Sequence, residues 1–186
     1  WGNSLDDDNP AYPLITQCHA NEAEYFDLNK SPEQQPTKLE IQLDLLKLPH
    51  LLPDHILLKR LLQAVVDGAQ VCLVCNLVAD AQAIYQALLE QVQSAEDLTA
   101  DQILLFHSRF TFKDRQQKEQ AVLNLFGAEP QPKEVRNKGH LLVATQVVEQ
   151  SLDLDFDWLV TQLCPVDLLF QRMGRLHRHK RNRPNR

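Results

Sequence analysis

Short apolar segments alternate with longer amphipathic ones along most of this chain, and this alternation is the feature that most restricts its fold. Four apolar runs have the length of buried strands, at residues 71–75, 103–106, 141–144 and 158–161. Helical spacing of apolar residues begins near Pro53, Asn76 or Asp80, Thr111 and Pro165. Strands that are apolar on both faces and are separated by helices predict an α/β fold. We therefore expect three layers, a mostly parallel sheet covered by helices on both faces.

The first forty residues follow this pattern least. A short strand is predicted at 12–16 and another at 39–45, where apolar residues alternate. The segment 31–37 has two prolines and no apolar residue, which predicts a flexible loop.

Composition and cysteine usage exclude several classes of protein. The chain has 186 residues, 44% hydrophobic and 24% charged, which excludes a wholly disordered chain. No apolar run approaches the ~18 residues of a membrane helix, and the amino terminus does not resemble a signal peptide. Cys72 and Cys75 form a C-x-x-C without a second ligand pair, which favours core thiols over a metal site. Reduced thiols in turn indicate the cytoplasm.

Positive charge is concentrated at the carboxy terminus. Residues 171–186 hold seven of the 19 lysines and arginines and no acid, whereas the rest carries 12 bases against 25 acids. Such a local excess indicates a site for phosphates or for an acidic partner. The alternative is a solvated basic tail.

Polar side chains follow each predicted strand. Asn76 follows the first, Ser108 and Arg109 the second, Thr145 the third and Gln162 the fourth. Ligands of parallel α/β sheets bind at the carboxyl ends of the strands, and hydroxyls, amides and arginines hold phosphate oxygens. Each residue alone could instead be a cap or a turn residue.

The segment from Gln171 to Arg178 is the sharpest feature. Gly174 begins a turn where backbone can approach a ligand. Arg175 and Arg178 are three residues apart, so on one helical turn they would project to the same side and suit a triphosphate. Alternatively, these arginines pair with the nearby acids Asp153, Asp155 or Asp157.

These residues carry a family resemblance. Gln171-x-x-Gly-Arg-x-x-Arg178 resembles motif VI of superfamily-two helicases, Thr145–Asp153 resembles motif V, and Phe106–Phe110 the motif IV region. More narrowly, residues 143–153 together with 168–179 are similar to the CRISPR-associated helicase–nucleases of type I systems. Ser151 and His177 stand where many other relatives have glycine, and they match this branch. The resemblance extends over about residues 40–180.

The resemblance implies a fold and a set of roles. Two RecA-like lobes clamp ATP in this family, and the chain is similar to the second lobe. Arg175 and Arg178 would be arginine fingers, with Gln171 beside the phosphates and Asp153 and Gly174 near the nucleotide. The implied DNA contacts are Thr145, Gln150, Arg109, Ser108 and, more weakly, Asn76.

Several family motifs have no counterpart in this sequence. None of its five glycines precedes a lysine, so there is no phosphate loop, and there is neither a D-E-x-H stretch nor a His-Asp pair. We therefore expect a fragment, with residues 1–38 a partly flexible connector from a missing first lobe and 39–186 the second RecA-like domain. ATP and Mg²⁺ would be held mainly by that first lobe, and the isolated chain is expected to be inactive.

The implied partners are single-stranded DNA, the first lobe and a CRISPR RNA-guided surveillance complex, with no membrane. In the whole protein, the family's activity would be ATP-driven translocation that feeds DNA to a nuclease site outside this chain. Two alternatives remain open: a non-catalytic nucleic-acid-binding module with a degenerate helicase fold, or a lobe of another superfamily-two helicase.

Overall fold

The computed structural model describes residues 14–19, 22–27, 40–46, 53–128, 138–149, 152–179, 181 and 183–184. The chain divides into two compact units, Trp1–Asp44 and Leu45–Arg186. In the first unit, β1 (Leu14–His19) and β2 (Glu22–Asp27) pair antiparallel, with Leu14 opposite Asp27.

The second unit contains a four-stranded sheet in the order β4-β5-β3-β6. All three strand pairs are parallel. Its elements follow one another along the chain as α1 (His55–Val66), β3 (Gln70–Val74), α2 (Val78–Val92), β4 (Ile103–Phe106), α3 (Phe112–Phe126), β5 (His140–Ala144), β6 (Trp158–Thr161) and α4 (Val166–Met173).

Each face of this sheet is covered by its own apolar cluster. Successive strand residues point to opposite faces, so β3 contributes Val71 and Leu73 to one cluster and Cys72 and Val74 to the other. The first cluster is completed by buried residues of α1 and α2, and the second by residues of α3. The prediction of a parallel sheet covered by helices on both faces is confirmed.

Local chemistry explains where two of the helices begin. The Asp54 carboxylate accepts a hydrogen bond from the Leu57 backbone N–H at 2.8 Å and caps α1. The Thr111 hydroxyl accepts from the Asp114 N–H at 3.3 Å and caps α3, as the spacing of these two residues predicts. Gly68 follows α1 with a φ of 88°, a conformation that glycine adopts readily.

Some sequence-based predictions about elements are wrong in detail. Residues 40–46 form no regular strand, and Leu43 and Leu45 are exposed there rather than buried. Pro53, near which the helical spacing begins, lies one residue before the α1 cap Asp54. Neither Asn76 nor Asp80 caps α2, which begins at Val78, because the Asn76 side chain is bonded elsewhere. The predicted strand at 12–16 is observed as β1, two residues later, whereas β2 was not predicted.

The loop predicted at 31–37 lies outside the described residues. Within the described ranges, none of the helices combines the length and the apolar character needed to cross a membrane.

Candidate nucleotide and nucleic-acid site

The polar residues that follow the strands meet at one edge of the sheet. The backbone ladder continues one residue past the strands, since Cys75 N donates to Ala144 O at 2.8 Å and Gln162 N donates to Val74 O at 3.0 Å. Thr145 N likewise donates to Phe106 O at 3.2 Å. Asn76, Ser108, Thr145 and Gln162 therefore lie at the same edge, as the parallel topology predicts.

A buried arginine organises this edge, and the sequence did not indicate its role. The Arg172 side chain is 2% exposed, and its Nε donates to Glu149 Oε1 at 2.7 Å. Its Nη1 donates to Thr161 Oγ1 and, at 3.2 Å, to Gln162 O, and its Nη2 donates to Asn76 Oδ1 at 3.3 Å. One guanidinium on α4 thus connects residues that follow β3, β5 and β6.

Asn76 belongs to this network through both its side-chain amide and its backbone N–H. Its Nδ2 donates to Leu163 O at 2.7 Å, and its backbone N–H donates to Gln162 Oε1 at 2.6 Å. Gln162 in turn donates to Asp80 Oδ2 at 2.9 Å. These bonds hold the Asn76 side chain in place, so its predicted DNA contact has little support from the geometry.

The two predicted finger arginines lie close together but beyond the helix. α4 ends at Met173 with Gly174 as its C-cap, so the expected single helical turn carrying Arg175 and Arg178 is wrong. His177 instead adopts a φ of 49°. Burial and then the charge of Arg178 lower the pKa of Arg175, and the charge of Asp153 acts in the opposite direction.

The partners of these two arginines differ. Arg175 Nη2 donates to Glu149 O at 3.0 Å, and its Nε is buried without a hydrogen-bond partner among the described residues. Arg178 Nε lies 2.5 Å from Asp153 Oδ1, and both of these side chains are roughly half exposed. The alternative of pairing with nearby acids therefore describes Arg178 but not Arg175.

Gln171 and Gly174 flank the same segment. Gln171 is exposed near the end of α4, two residues before Met173. Gly174 has an ordinary helical φ of −63°, and a Cβ added there would lie 3.4 Å from Phe170 O, an ordinary contact. The backbone at Gly174 is therefore accessible and unstrained.

The residues that follow β4 are exposed, whereas the one that follows β5 is not. Ser108 and Arg109 are exposed, and Arg109 N donates to His107 Nδ1 at 3.2 Å. Burial lowers the pKa of His107, which stacks on Phe110 with ring centroids 4.0 Å apart. Thr145 is fully buried, and its hydroxyl has no partner among the described residues. Gln150 lies outside the described residues.

A shallow cavity of about 290 Å³ opens beside Ser108. It is lined by Phe106, Ser108, Arg115, Glu119, Gln146, Val147 and Leu152. Of the exposed predicted DNA contacts, Ser108 thus lies on a concave surface with polar and apolar walls.

The last described arginines are bound to acids and are not a solvated tail. Asp155 is fully buried and lies 3.1 Å from Arg181 Nε and 2.8 Å from Arg183 Nη2. Arg183 Nη1 lies 2.6 Å from Asp157 Oδ1. Burial by itself would lower the pKa of Arg183, but hydrogen bonds to these two carboxylates raise it. These two charges are therefore not free to hold phosphates.

No metal site is formed by the part of the chain that the structure describes. Among those residues, no group of three or more histidines, cysteines, aspartates or glutamates could hold a metal ion. Cys72 and Cys75 are buried free thiols. Burial raises the pKa of both, to about 12 for Cys75.

The parallel sheet, covered by helices on both faces and with glutamine and arginines at the ends of its strands, has the architecture of a RecA-like domain. A family model described as "CRISPR-associated nuclease/helicase Cas3, C-terminal" matches residues 67–181. The chain belongs to this family.

Relatives agree with this assignment. The CRISPR-associated endonuclease/helicase Cas3 of Escherichia coli (strain K12) is 52% identical over 175 residues, 94% of this chain and 19% of that protein. The CRISPR-associated nuclease/helicase Cas3 of Streptococcus thermophilus is 34% identical over 94% of this chain and 17% of that protein. The chain thus spans about a fifth of the length of these curated relatives.

Solved structures show the same similarity. The T. fusca Cas3-ATP crystal structure has a TM-score of 0.73 at 30% identity and covers all of this chain and 22% of that chain. A CRISPR RNA-guided surveillance complex, pre-nicking, contains a chain with a TM-score of 0.69 at 30% identity, covering 100% of this chain and 23% of that one. The expected resemblance to CRISPR-associated helicase–nucleases is confirmed.

Proposed function

We propose that this chain is the second motor lobe of an ATP-dependent single-stranded-DNA translocase that acts in CRISPR interference. In this proposal, Arg175 and Arg178 reach the nucleotide held on a first lobe, with Gln171, Gly174 and Asp153 beside it. Exposed Ser108 and Arg109 hold the DNA backbone, and Thr145, Gln150 and Asn76 assist. The relatives are named helicases and nucleases, and T. fusca Cas3 structures are named for ATP, ADP and AMPPNP.

The observation that carries this proposal is the state of Arg175. Its guanidinium is partly buried, has an unpaired Nε and lies beside a second arginine. The Asp153 carboxylate already accompanies Arg178, whereas the Nε of Arg175 has no hydrogen-bond partner among the described residues, so it is the group that an incoming polyphosphate can engage. Phosphoryl transfer depends mainly on charge stabilisation, which a pair of guanidiniums supplies.

ATP supplies the phosphoanhydride bond, and this chain would supply only part of the machinery around it. The two arginines would neutralise charge on the phosphates, and Gly174 would allow close backbone approach. The described residues offer no cluster suited to Mg²⁺, so we propose that the ion is held by the first lobe. We also propose a cytoplasmic location, because Cys72, Cys75 and Cys164 are unpaired thiols.

The test is the DNA-stimulated ATPase of a two-lobed protein in which this chain follows a first RecA-like lobe. Arg175→Ala and Arg178→Ala should each lower kcat by about 10³-fold or more, with DNA binding retained. Arg60→Ala removes an exposed arginine whose guanidinium lies over Trp158, and should leave turnover unchanged. Turnover indifferent to both finger variants would refute the proposal.

DNA contact is tested separately by salt dependence. Arg109→Ala should weaken binding of a single-stranded oligonucleotide and reduce the slope of log K against log salt by about 0.7, the value for one lost phosphate contact. An unchanged slope would remove Arg109 from the DNA path.

One observation favours the alternative of a non-catalytic nucleic-acid-binding module. Arg178 is already paired with Asp153 at 2.5 Å. If that pair only stabilises the fold, Asp153→Asn should lower the free energy of unfolding, and turnover should not depend on Arg178. In the motor proposal, the same substitution changes turnover.

A further inference from the structure

We propose that the buried Arg172–Glu149 ion pair couples two segments. The DNA-binding segment is residues 145–149, which follow β5, and the nucleotide-binding segment is residues 174–178, which follow α4. The inference rests on the proposed function, and it assigns a role to two residues that contact neither ligand. Arg172 and Glu149 are positioning residues in this proposal, not catalytic ones.

The burial of the pair is the first argument. The side chains of Arg172 and Glu149 are 2% and 3% exposed, and their atoms approach to 2.7 Å. Removing two charges from water is costly, and apolar residues of similar volume often serve stability as well or better. Stability is therefore a weak reason for an ion pair here, whereas fixing one arrangement of two segments is an attested use.

The attachment of Glu149 is the second argument. Glu149 follows the 3₁₀ turn Gln146–Val148, which begins directly after Thr145. Its side chain binds Arg172, and its backbone oxygen accepts from Arg175 Nη2 at 3.0 Å. A single residue at the end of the proposed DNA-binding segment therefore holds both an arginine of α4 and a proposed finger.

The attachment of Arg172 is the third argument. It lies between Gln171 and the Gly174 cap, and its guanidinium also binds Thr161, Gln162 O and Asn76. If residues 145–149 move and α4 does not, the ion pair breaks and a buried charge is left without a partner. Movement at either site is therefore transmitted to the other through a rigid polar contact.

The coupling has a measurable signature. Two linked sites change each other's affinity by the same factor, typically about five- to 150-fold. If the pair carries the linkage, its removal brings that factor towards one while each ligand still binds alone. A residue that merely stabilises the fold would lower the melting temperature and leave the factor unchanged.

The experiment uses the two-lobed protein with AMPPNP and oligo-dT. The nucleotide Kd is measured with and without oligo-dT, and the oligo-dT Kd with and without nucleotide. The variant carries Arg172→Met and Glu149→Leu together, so that neither charge is left unpaired. We expect the affinity factor and the DNA stimulation of ATPase to fall at least fivefold in this variant. A folded variant with the original factor would overturn the proposal.

Two further variants keep the result interpretable. Arg172→Lys keeps a positive charge opposite Glu149 and loses the bonds to Thr161 and Asn76, so the factor should remain well above one if the ion pair carries the linkage. A factor reduced to one in that variant would contradict the proposal. The control is Gln120→Ala with Asn124→Ala, which removes an exposed hydrogen-bonded pair of 2.7 Å on α3 and should change nothing.

The unsubstituted protein separates the two levels of inference. If it has no DNA-stimulated turnover and no linkage between ligands, the motor proposal fails, and the coupling proposal fails with it. If it shows both, and the apolar pair shows both equally, only the coupling proposal fails.

Discussion

Arg175 differs from the other described arginines of the carboxy-terminal segment. Arg172, Arg178, Arg181 and Arg183 each have a carboxylate within ion-pair distance. Arg175 has no carboxylate within ion-pair distance among the described residues: its Nη2 donates to a backbone carbonyl, and the charges of Arg178 and Asp153 act on it from farther away. An arginine in this state binds an added anion without first releasing a carboxylate, which makes Arg175 the sharper of the two finger candidates.

Gly174 offers a test that separates ligand approach from stability. A Cβ at this position meets only ordinary contacts and φ is −63°, so Gly174→Ala should raise the free energy of unfolding by about 0.4–1 kcal/mol. If the nucleotide approaches this backbone, the same variant should raise the KM for ATP in the two-lobed protein. Urea unfolding and steady-state kinetics measure the two effects.

Gly139→Ala is the matched comparison. Its added Cβ would clash with Val65 O and would lie 2.8 Å from Ala69 O, so stability should fall by about 1–3 kcal/mol. A stable Gly174→Ala protein with unchanged KM would mean that the nucleotide does not approach Gly174.

Two buried histidines predict acid sensitivity. Burial lowers the pKa of His107 and His140 below the ordinary value of 6.5. The unfolded chain therefore binds more protons than the folded one as pH falls below about 6.5, and stability, complete above that pH, declines. His140→Gln should reduce the difference in urea midpoint between pH 7.5 and pH 5.5. His55→Gln changes an exposed histidine and serves as control; an equal effect of both variants would contradict the prediction.

At the scale of elements, the segment 175–178 is held by the strand-like residues 155–156. Phe156 N donates to Arg175 O at 2.9 Å, and His177 N donates to Phe156 O at 3.0 Å. Asp155 Oδ1 accepts from Arg178 N at 2.9 Å. The finger segment is thus fixed by backbone bonds on one side, and Arg181 and Arg183 close over the same buried carboxylate.

Arg183→Gln should therefore act on stability and not on DNA binding. Asp155 and Asp157 lose a charged donor, and the expected cost is about 1–3 kcal/mol of unfolding free energy. The slope of log K against log salt for single-stranded DNA should not change, because this guanidinium is already occupied. A slope reduced by about 0.7 would show instead that Arg183 contacts a phosphate.

The elements that the sequence predicts best are the short apolar runs. Residues 103–106 and 158–161 are observed as β4 and β6 with the predicted bounds, although β6 is only partly buried, and the fully buried β3 and β5 each begin one residue before the predicted run. Residues 40–46 have a suitable alternation yet form no strand, since strand pairing depends on a partner that the local pattern does not specify. The polar residues that follow the predicted strands lie at one edge of the sheet because parallel strands all end at the same edge.

The site was only partly predictable for a related reason. The spacing of residues 171–178 predicted Arg175 and Arg178 as site residues. The charge count included Arg172 in the local excess of positive charge, although Glu149, 23 residues away, pairs with it. That pairing depends on which segments follow β5 and β6 in space. A basic residue on the apolar side of a short helix was the one available signal, and it was not sufficient by itself.

At the scale of the whole molecule, the sequence contains no phosphate loop, and the two arginines are its proposed contribution to the nucleotide site. We expect that the isolated chain does not hydrolyse ATP, because phosphoryl transfer needs the metal and the nucleotide held in line as well as the arginines. Phosphate release from ATP by the purified chain should equal the buffer blank. Turnover that disappears in its Arg178→Ala variant would show that the chain is sufficient for catalysis.

The reactivity of two buried thiols, Cys72 in β3 and Cys75 directly after it, can be used to measure when the sheet opens. The thiolate is the reactive form of cysteine, and Cys72 and Cys75 are both inaccessible and strongly disposed to stay protonated. Alkylating reagents should therefore leave Cys72 and Cys75 unmodified in the native protein. They should modify these thiols only when β3 separates from β5 and β6. In a Cys18→Ser variant, Cys164, half-buried just before α4, remains for a fluorophore. One label can then follow the ligand edge while alkylation of Cys72 and Cys75 reports when the sheet opens.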